Sequence, residues 1–110
     1  LGGDAPIVMF PRGVGVRLSR YDQAGAFDGL SISHDLTPSQ ARGLTPKTGV
    51  LQGSLDPQTL LGDPMQAAAA AREIVDGYRA GPHIFNLGHG VTPEAKIACV
   101  EAVINAVRDQ

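Results

Sequence analysis

The sequence has no tryptophan, only one cysteine and no excess of basic residues, and each of these features excludes a class of protein. With Cys99 alone, the chain forms neither an internal disulfide nor a zinc site made of cysteines, so a reducing cytoplasm is the expected compartment. Nine basic and eleven acidic residues give a net charge of −2, which argues against nucleic acid or an anionic membrane surface as a partner. The apolar runs are far shorter than the roughly 20 residues that a membrane-spanning helix needs.

Glycine and proline are abundant instead, with 14 glycines and 8 prolines among the 110 residues. They follow no collagen-like spacing, so they predict many short turns between regular elements. The chain starts at Leu1 rather than at a methionine, and it shows no signal-peptide pattern. We therefore expect residues 1–110 to be a single segment of a longer protein.

Four short apolar runs alternate with helix-like stretches. None of them shows clean alternation of polar and apolar residues, as is typical of strands that are buried on both faces of a parallel sheet. The runs cover residues 7–10, 29–32, 49–52 and 83–87. This order predicts an α/β protein of four βα units with parallel strands and right-handed crossovers. A doubly wound sheet and half of a (β/α)8 barrel both fit it.

The expected helix starts share one pattern, an oxygen-bearing side chain directly before a proline. The oxygen accepts a hydrogen bond from a backbone N–H of the first turn, and the proline occupies a position where no N–H donor is needed. The pattern occurs at Thr37-Pro38, Asp56-Pro57, Asp63-Pro64 and Thr92-Pro93.

Two helices can be described further. The first runs from Pro64 to about Arg79, stops at Gly81, and contains five consecutive alanines at 67–71, which we expect to pack closely on the sheet. In the last helix, spacings of three and four residues predict one buried stripe. The stripe consists of Ile97, Val100, Ile104 and Val107, and Cys99 is expected to lie off it as a bystander rather than a nucleophile.

Ligands bind where strands end and loops begin in both architectures, which directs attention to residues 10–15, 31–35, 51–57 and 86–90. Gly13-Val14-Gly15 resembles part of a phosphate-binding turn, but position 18 is leucine and no Gly-Lys-Ser/Thr follows. A plain turn is the better interpretation. Asp56 is either an acid–base group or a helix cap, and its place before Pro57 favours the cap.

The three histidines are not equally strong candidates for a ligand-binding site. His89 lies between Gly88 and Gly90 after a strand, where the backbone can take unusual φ values and an anionic ligand can approach. It either binds substrate or merely pairs with loop carbonyls. His34, which also follows a strand, is a weaker candidate, and His83 begins a strand and is expected at the opposite rim. The absence of His-x-x-x-His and Gly-x-Ser-x-Gly patterns leaves a metal site and a serine hydrolase unsupported.

Three stretches together resemble one known family. Residues 83–93, His-Ile-Phe-Asn-Leu-Gly-His-Gly-Val-Thr-Pro, resemble the carboxyl-terminal signature of the uroporphyrinogen decarboxylases, which contains Asn-Leu-Gly-His-Gly and then a proline. Residues 51–57 resemble the family's Leu-Gln-Gly-Asn-Leu-Asp-Pro segment, and residues 10–15 resemble its Phe-x-Lys/Arg-Gly-x-Gly segment. The order matches, and the resemblance covers nearly the whole chain.

The resemblance implies a specific fold and reaction. The chain would be about the last third of a (β/α)8, or TIM, barrel and would supply its last four strands. The enzyme would convert the four acetate side chains of uroporphyrinogen III to methyl groups, giving coproporphyrinogen III in haem synthesis. It would need no cofactor, because a protonated pyrrole of this tetrapyrrole substrate serves as the electron sink.

The resemblance also implies where the site residues lie. Only the family's histidine at the barrel mouth carries over to this chain, as His89, and the catalytic residues lie elsewhere in the enzyme. Full-length relatives are typically homodimers. We expect the isolated 110 residues to be inactive and to self-associate, because a half barrel leaves two strand edges unpaired.

Two positions depart from the family pattern. Ser33-His34 stands where the family usually has Asp-Trp, and Ser54 stands where it has Asn. Because a diverged relative can keep the fold and change its chemistry, two alternatives remain. These are a methyltransferase of the same barrel superfamily, whose zinc-binding His-x-Cys this chain lacks, and a binding module without catalysis.

Overall fold

The structure is a computed structural model that describes residues 5–11, 14–25 and 27–109. The strands are β1 (Val8–Met9), β2 (Gly29–Ser31), β3 (Val50–Leu55) and β4 (His83–Leu87). The helices are α1 (Leu18–Ala24), α2 (Pro38–Leu44), α3 (Pro64–Gly77) and α4 (Ile97–Arg108), with 3₁₀ segments at Gly15–Arg17 and Pro57–Leu61. Within the described ranges, every helix is too short or too polar to cross a bilayer.

The four strands form one parallel sheet in the order β1-β2-β3-β4. A doubly wound sheet reverses its direction of growth at a switch point, whereas this sheet grows in one direction only. Since right-handed crossovers that all advance the same way place every helix on the same face, the arrangement is that of consecutive βα units of a barrel. The strand order therefore decides between the two architectures that the sequence leaves open.

The predicted strands are confirmed, with different ends for three of them. The last, His83–Leu87, has the predicted bounds, whereas β1 and β2 are shorter than predicted. β3 continues three residues past the predicted end at Gln52, because the ladder with β4 extends to the pair Leu55 and Leu87. The sequence does not predict this extension of β3, because it includes Gly53 and Ser54 and neither residue type favours strands.

Three of the four predicted helix starts are confirmed. Thr37 accepts a hydrogen bond from the Gln40 backbone N–H at 3.1 Å, and the Gln40 side chain accepts one from the Thr37 N–H at 3.0 Å. This reciprocal pair is a capping box. Asp56 caps the 3₁₀ segment Pro57–Leu61, and Asp63 caps α3.

The predicted helix start at Thr92-Pro93 is wrong. Residues 92–95 form an isolated turn, with a hydrogen bond from the Ala95 N–H to the Thr92 carbonyl, and α4 begins only at Ile97. The Lys96 N–H donates to the Leu60 carbonyl at 2.8 Å, which ties the chain to the preceding 3₁₀ segment and delays the helix. The Thr92 hydroxyl oxygen is buried, and among the described residues it has no hydrogen-bond partner.

The predicted buried stripe of α4 is also wrong in part. Ile97 is 76% exposed and Ile104 is 44% exposed, whereas Cys99 is fully buried together with Val103 and Ala106. The face that turns inward contains small side chains because α4 packs on α3 as well as on the sheet. Cys99 is therefore a core residue, and its thiol donates a hydrogen bond to the Gly62 carbonyl at 3.4 Å.

The alanine run is the matching surface on α3. Ala67 and Ala71 are fully buried in the same cluster as Cys99 and Val103 of α4, and Leu55 of β3 belongs to that cluster too. The expected contact with the sheet is thus present. The alanines also let α3 and α4 approach each other, which the alanine run by itself does not indicate.

Candidate functional site

The polar side chains at the carboxyl edge of the sheet come from three neighbouring loops. His34 follows β2, Asp56 follows β3, and His89 follows β4. Because parallel strands present their carboxyl ends at one edge, these three loops converge. All three side chains line an open cavity of about 160 Å³, together with Pro57, Gln58, Gly90 and Thr92.

Asp56 serves two neighbours at once. Its Oδ1 accepts a hydrogen bond from the Gln58 backbone N–H at 2.9 Å, which confirms the predicted cap. The same oxygen lies 3.9 Å from Nε2 of His34, within ion-pair range, and both side chains are partly exposed. Capping thus fixes a carboxylate that also faces the cavity.

Gly88 determines how the loops meet. A Cβ atom at this position would collide with the backbone nitrogen and the Cβ of His34, so only glycine permits the approach. The Gly88 N–H donates to the Leu55 carbonyl at 2.8 Å, which joins the same residue to the end of β3. The backbone freedom of the glycines beside His89 is not used for a positive φ, because the positive φ angles in the described residues belong to Gly15, Gly25 and Gly53.

His89 also lines a second cavity, of about 280 Å³, on the face of the sheet that points away from the helices. This cavity is bordered by Phe10 of the loop after β1 and by side chains of the strands. Ser31 of β2 and Gln52 of β3 point into it, and the Gln52 amide lies 3.4 Å from the Ser31 hydroxyl. His89 therefore stands between the cavity at the loops and the concave face of the sheet.

His83 occupies different surroundings, at the amino end of β4 as predicted. Its ring stacks on the buried Tyr78 ring at 4.3 Å between centroids, and its Nε2 contacts the Gly53 carbonyl at 2.5 Å. Burial is the main cause that lowers the pKa of His83; the Gly53 contact raises that pKa, and the nearby Arg42 lowers it. This histidine is committed to internal contacts on the helix side of the sheet.

Tyr78 and Ser54 complete that internal network. The two hydroxyls form a hydrogen bond of 2.7 Å, and both residues are buried. Burial raises the pKa of Tyr78, against smaller lowering effects of Ser54 and Arg42. Ser54, which departs from the family pattern, thus serves the core rather than a ligand.

Arg42 joins the same network through its guanidinium. It donates to three backbone carbonyls, those of Gly49 at 2.9 Å, Tyr78 at 3.1 Å and Pro82 at 2.9 Å. Sequence reasoning missed this arginine, because nothing in the sequence around it indicates that three carbonyls from distant segments meet there.

Asp22 was missed for the same reason. The carboxylate is almost fully buried at the end of α1, and it accepts hydrogen bonds from the Lys47 and Thr48 backbone N–H groups, the latter at 2.6 Å. It holds the loop before β3 at the edge of the sheet opposite the three converging loops.

Two further expectations concern ligands. The phosphate-binding interpretation of residues 13–15 rests in part on Gly13, which lies outside the described residues, as does Arg12 beside it. In the described part of the chain, no three His, Cys, Asp or Glu side chains gather as metal ligands would.

The sequence model of the uroporphyrinogen decarboxylase (URO-D) family matches residues 1–110. The chain belongs to the uroporphyrinogen decarboxylase family. It is 40% identical over 108 residues to the uroporphyrinogen decarboxylase of Hyphomonas neptunium, covering 98% of the chain and 31% of the relative. The corresponding protein of Paracoccus denitrificans is 36% identical over 103 residues, covering 94% and 30%. The chain thus spans about a third of the length of its uroporphyrinogen decarboxylase relatives.

A solved structure shows the same fold. A methyltransferase from Methanosarcina mazei superposes with a TM-score of 0.80 over 96% of this chain and 32% of its own, at 22% sequence identity. At that identity the likeness concerns the fold alone. It agrees with four consecutive βα units of a TIM barrel for this member of the uroporphyrinogen decarboxylase family.

Proposed function

We propose that the chain is the carboxyl-terminal third of a uroporphyrinogen decarboxylase, which converts uroporphyrinogen III to coproporphyrinogen III in haem synthesis. The position of His89 carries this proposal. The family-like run Asn86-Leu87-Gly88-His89-Gly90 spans the end of β4 and the loop after it, and its histidine borders both cavities at the carboxyl edge of the sheet. Membership of the family over residues 1–110 supports the same reaction.

The proposed role of His89 is to bind and orient the substrate. Uroporphyrinogen carries eight carboxylates, and an imidazole at the mouth of the barrel can donate a hydrogen bond to one of them. Such a charge-assisted hydrogen bond contributes about 1.5–3 kcal/mol, or roughly ten- to a hundredfold in an equilibrium constant. The main proton transfer is assigned to residues in the rest of the enzyme.

The reaction that we propose proceeds four times on one molecule. In each round the bond between an acetate methylene and its carboxylate breaks, CO2 leaves, and a proton takes its place to give a methyl group. The electron pair of the broken bond moves into a substrate pyrrole that has been protonated beforehand. The ring proton leaves once the methyl group has formed, so each round consumes one proton and restores the pyrrole. Because the substrate supplies its own electron sink, the proposal includes no cofactor.

The test is His89→Asn in the full-length protein, assayed with uroporphyrinogen III. We expect decarboxylation to fall by ten- to a hundredfold and the pattern of partly decarboxylated intermediates to change, with a nearly unchanged melting temperature. The control is His83→Asn, which we expect to lower the melting temperature because His83 belongs to the internal network. Wild-type turnover with the same intermediates in His89→Asn would refute the role of His89.

A second test concerns the enzyme as a whole. A complete reading frame of about 110 codons would refute the proposal of a longer parent and favour a binding module. A full-length wild-type protein that leaves uroporphyrinogen unchanged and transfers methyl groups would favour the methyltransferase alternative.

The isolated segment is proposed to be inactive and to self-associate. β1 and β4 form the edges of the sheet, and Val8, Met9 and Ile84 on these strands are each at least 36% exposed. Two copies could pair edge to edge and close a pseudo-barrel. A monodisperse monomer in light scattering, with a cooperative unfolding transition, would contradict this. We propose a homodimer in the cytoplasm for the full-length enzyme.

A further inference from the structure

His34 is a feature that the family resemblance does not explain. His34 belongs to the pair Ser33-His34, which departs from the family pattern, and it lines the same cavity as His89. We infer that His34 is a second substrate-binding residue, which binds another carboxylate of the same substrate, and that Asp56 positions its ring. This inference rests on the proposed function.

The geometry leaves the His34 ring available to a ligand. The distance of 3.9 Å between Nε2 of His34 and Oδ1 of Asp56 is longer than a hydrogen bond, so the carboxylate attracts the ring without taking its N–H. The backbone N–H of Gln58 fixes the same Oδ1 at 2.9 Å. Asp56 is therefore a stationary charge that orients the His34 ring.

The loop that carries His34 is also held in place. The close approach of Gly88 packs the start of the β4 loop against the His34 backbone, and Gly88 is itself bonded to the end of β3. Gly88, which directly precedes His89, thus joins the two histidine-bearing loops. A site built on loops fixed in this way keeps its two imidazoles at a constant separation.

The cavity that His34 and His89 share is large enough for one carboxylate arm of the substrate. Its volume of about 160 Å³ has room for an acetate or propionate group, since a water molecule takes about 30 Å³ in the liquid. The neighbouring cavity of about 280 Å³, on the concave face, borders His89 as well. An arm at His34 would therefore extend from a substrate body that lies over the concave face.

The charge of Asp56 makes the inference testable. The Asp56 carboxylate beside the cavity repels an anionic arm, and a hydrogen bond from His34 to that arm offsets the repulsion. Removing His34 consequently loses a donor and exposes a repulsive charge. Removing the Asp56 charge should weaken binding when His34 is present, and strengthen it when His34 is absent.

The experiment measures the binding of uroporphyrin III by fluorescence titration to the full-length enzyme. We expect the Kd to rise at least tenfold in His34→Gln and about threefold in Asp56→Asn. In the double variant, we expect the Kd to be about threefold lower than in His34→Gln. The control is Asp63→Asn, because Asp63 is also a cap before proline, and asparagine preserves capping at both positions.

Each outcome has a defined meaning. A tenfold loss in His34→Gln with partial recovery in the double variant supports the inference, since a merely structural role of the pair would produce no recovery. A wild-type Kd in His34→Gln, in an enzyme that decarboxylates uroporphyrinogen, overturns the inference and leaves the proposed function intact. A wild-type enzyme that neither binds uroporphyrin nor decarboxylates uroporphyrinogen overturns both.

Discussion

His83 and His89 lie at opposite ends of β4, and their surroundings differ in almost every respect. His83 stacks on a buried tyrosine ring and contacts a backbone carbonyl, on the side of the sheet that the helices cover. His89 is exposed, at the junction of two open cavities. The residue type is the same, so the position along the strand decides whether a histidine packs inside the fold or faces a cavity.

The same contrast extends to the neighbouring polar groups. On the helix side, Arg42, Ser54 and Tyr78 form hydrogen bonds with each other or with backbone carbonyls. At the carboxyl edge, His34 and Asp56 are in ion-pair range but keep polar atoms directed at a cavity. Variants in the first region should therefore alter stability, and variants in the second should alter binding.

The largest effect on stability is expected for Arg42→Met. The variant leaves the carbonyls of Gly49, Tyr78 and Pro82 without their shared donor. The carbonyls of Gly49 and Pro82 are exposed, so water can replace the lost donor there, whereas the Tyr78 carbonyl is partly buried. We therefore expect the free energy of unfolding to fall by about 2–3 kcal/mol. Urea denaturation measures it, with Arg72→Met on the exposed side of α3 as the control. Equal stability of the two variants would show that the hydrogen bonds of Arg42 do not stabilise the fold.

A smaller loss is expected for Tyr78→Phe. The substitution leaves the Ser54 hydroxyl buried without its partner, at a cost of about 1–2 kcal/mol. Adding Ser54→Ala should cost less in this background than in the wild type, because the orphaned hydroxyl is then removed as well. Additive losses in this double-mutant cycle would show that the two hydroxyls do not interact.

The pH dependence of stability should separate the histidines further. Burial lowers the pKa of His83 below the 6.5 of a free histidine. Between these two pKa values, His83 is protonated in the unfolded chain and neutral in the folded one. As the pH falls below 6.5, the folded protein therefore loses stability, until His83 is protonated in both states. We expect a shallower decline between pH 8 and pH 5 in His83→Gln than in the wild type. Identical slopes would contradict this account.

The smallest effect on stability is expected at the carboxyl edge. His34→Gln and His89→Asn change side chains that are exposed to solvent at least in part, so the free energy of unfolding should shift by less than about 0.5 kcal/mol. Urea denaturation of both variants beside Arg42→Met tests this directly. A loss of unfolding free energy comparable to that of Arg42→Met would show that the side chains at the carboxyl edge stabilise the fold as much as the network on the helix side does.

Much of this organisation could be predicted from the sequence, because local chemistry is enough for it. The caps at Thr37, Asp56 and Asp63 depend on one side chain and the next few backbone N–H groups. β4 is a short apolar run with clear ends, and it was predicted with its observed bounds. The alternation of strands and helices, and the placement of His34, Asp56 and His89 after strands, follow from the same short-range patterns.

The tertiary structure alone decided what depends on contacts between distant segments. The order of the strands selected a barrel-like arrangement over a doubly wound sheet. Packing of α4 on α3 rotated the buried face away from Ile97 and toward Cys99, although the apolar spacing favoured Ile97. The pairing of His34 with Asp56 and the three carbonyls around Arg42 join loops far apart in the chain. A sequence pattern records what a residue does to its neighbours along the chain, whereas these features depend on which segments folding brings together.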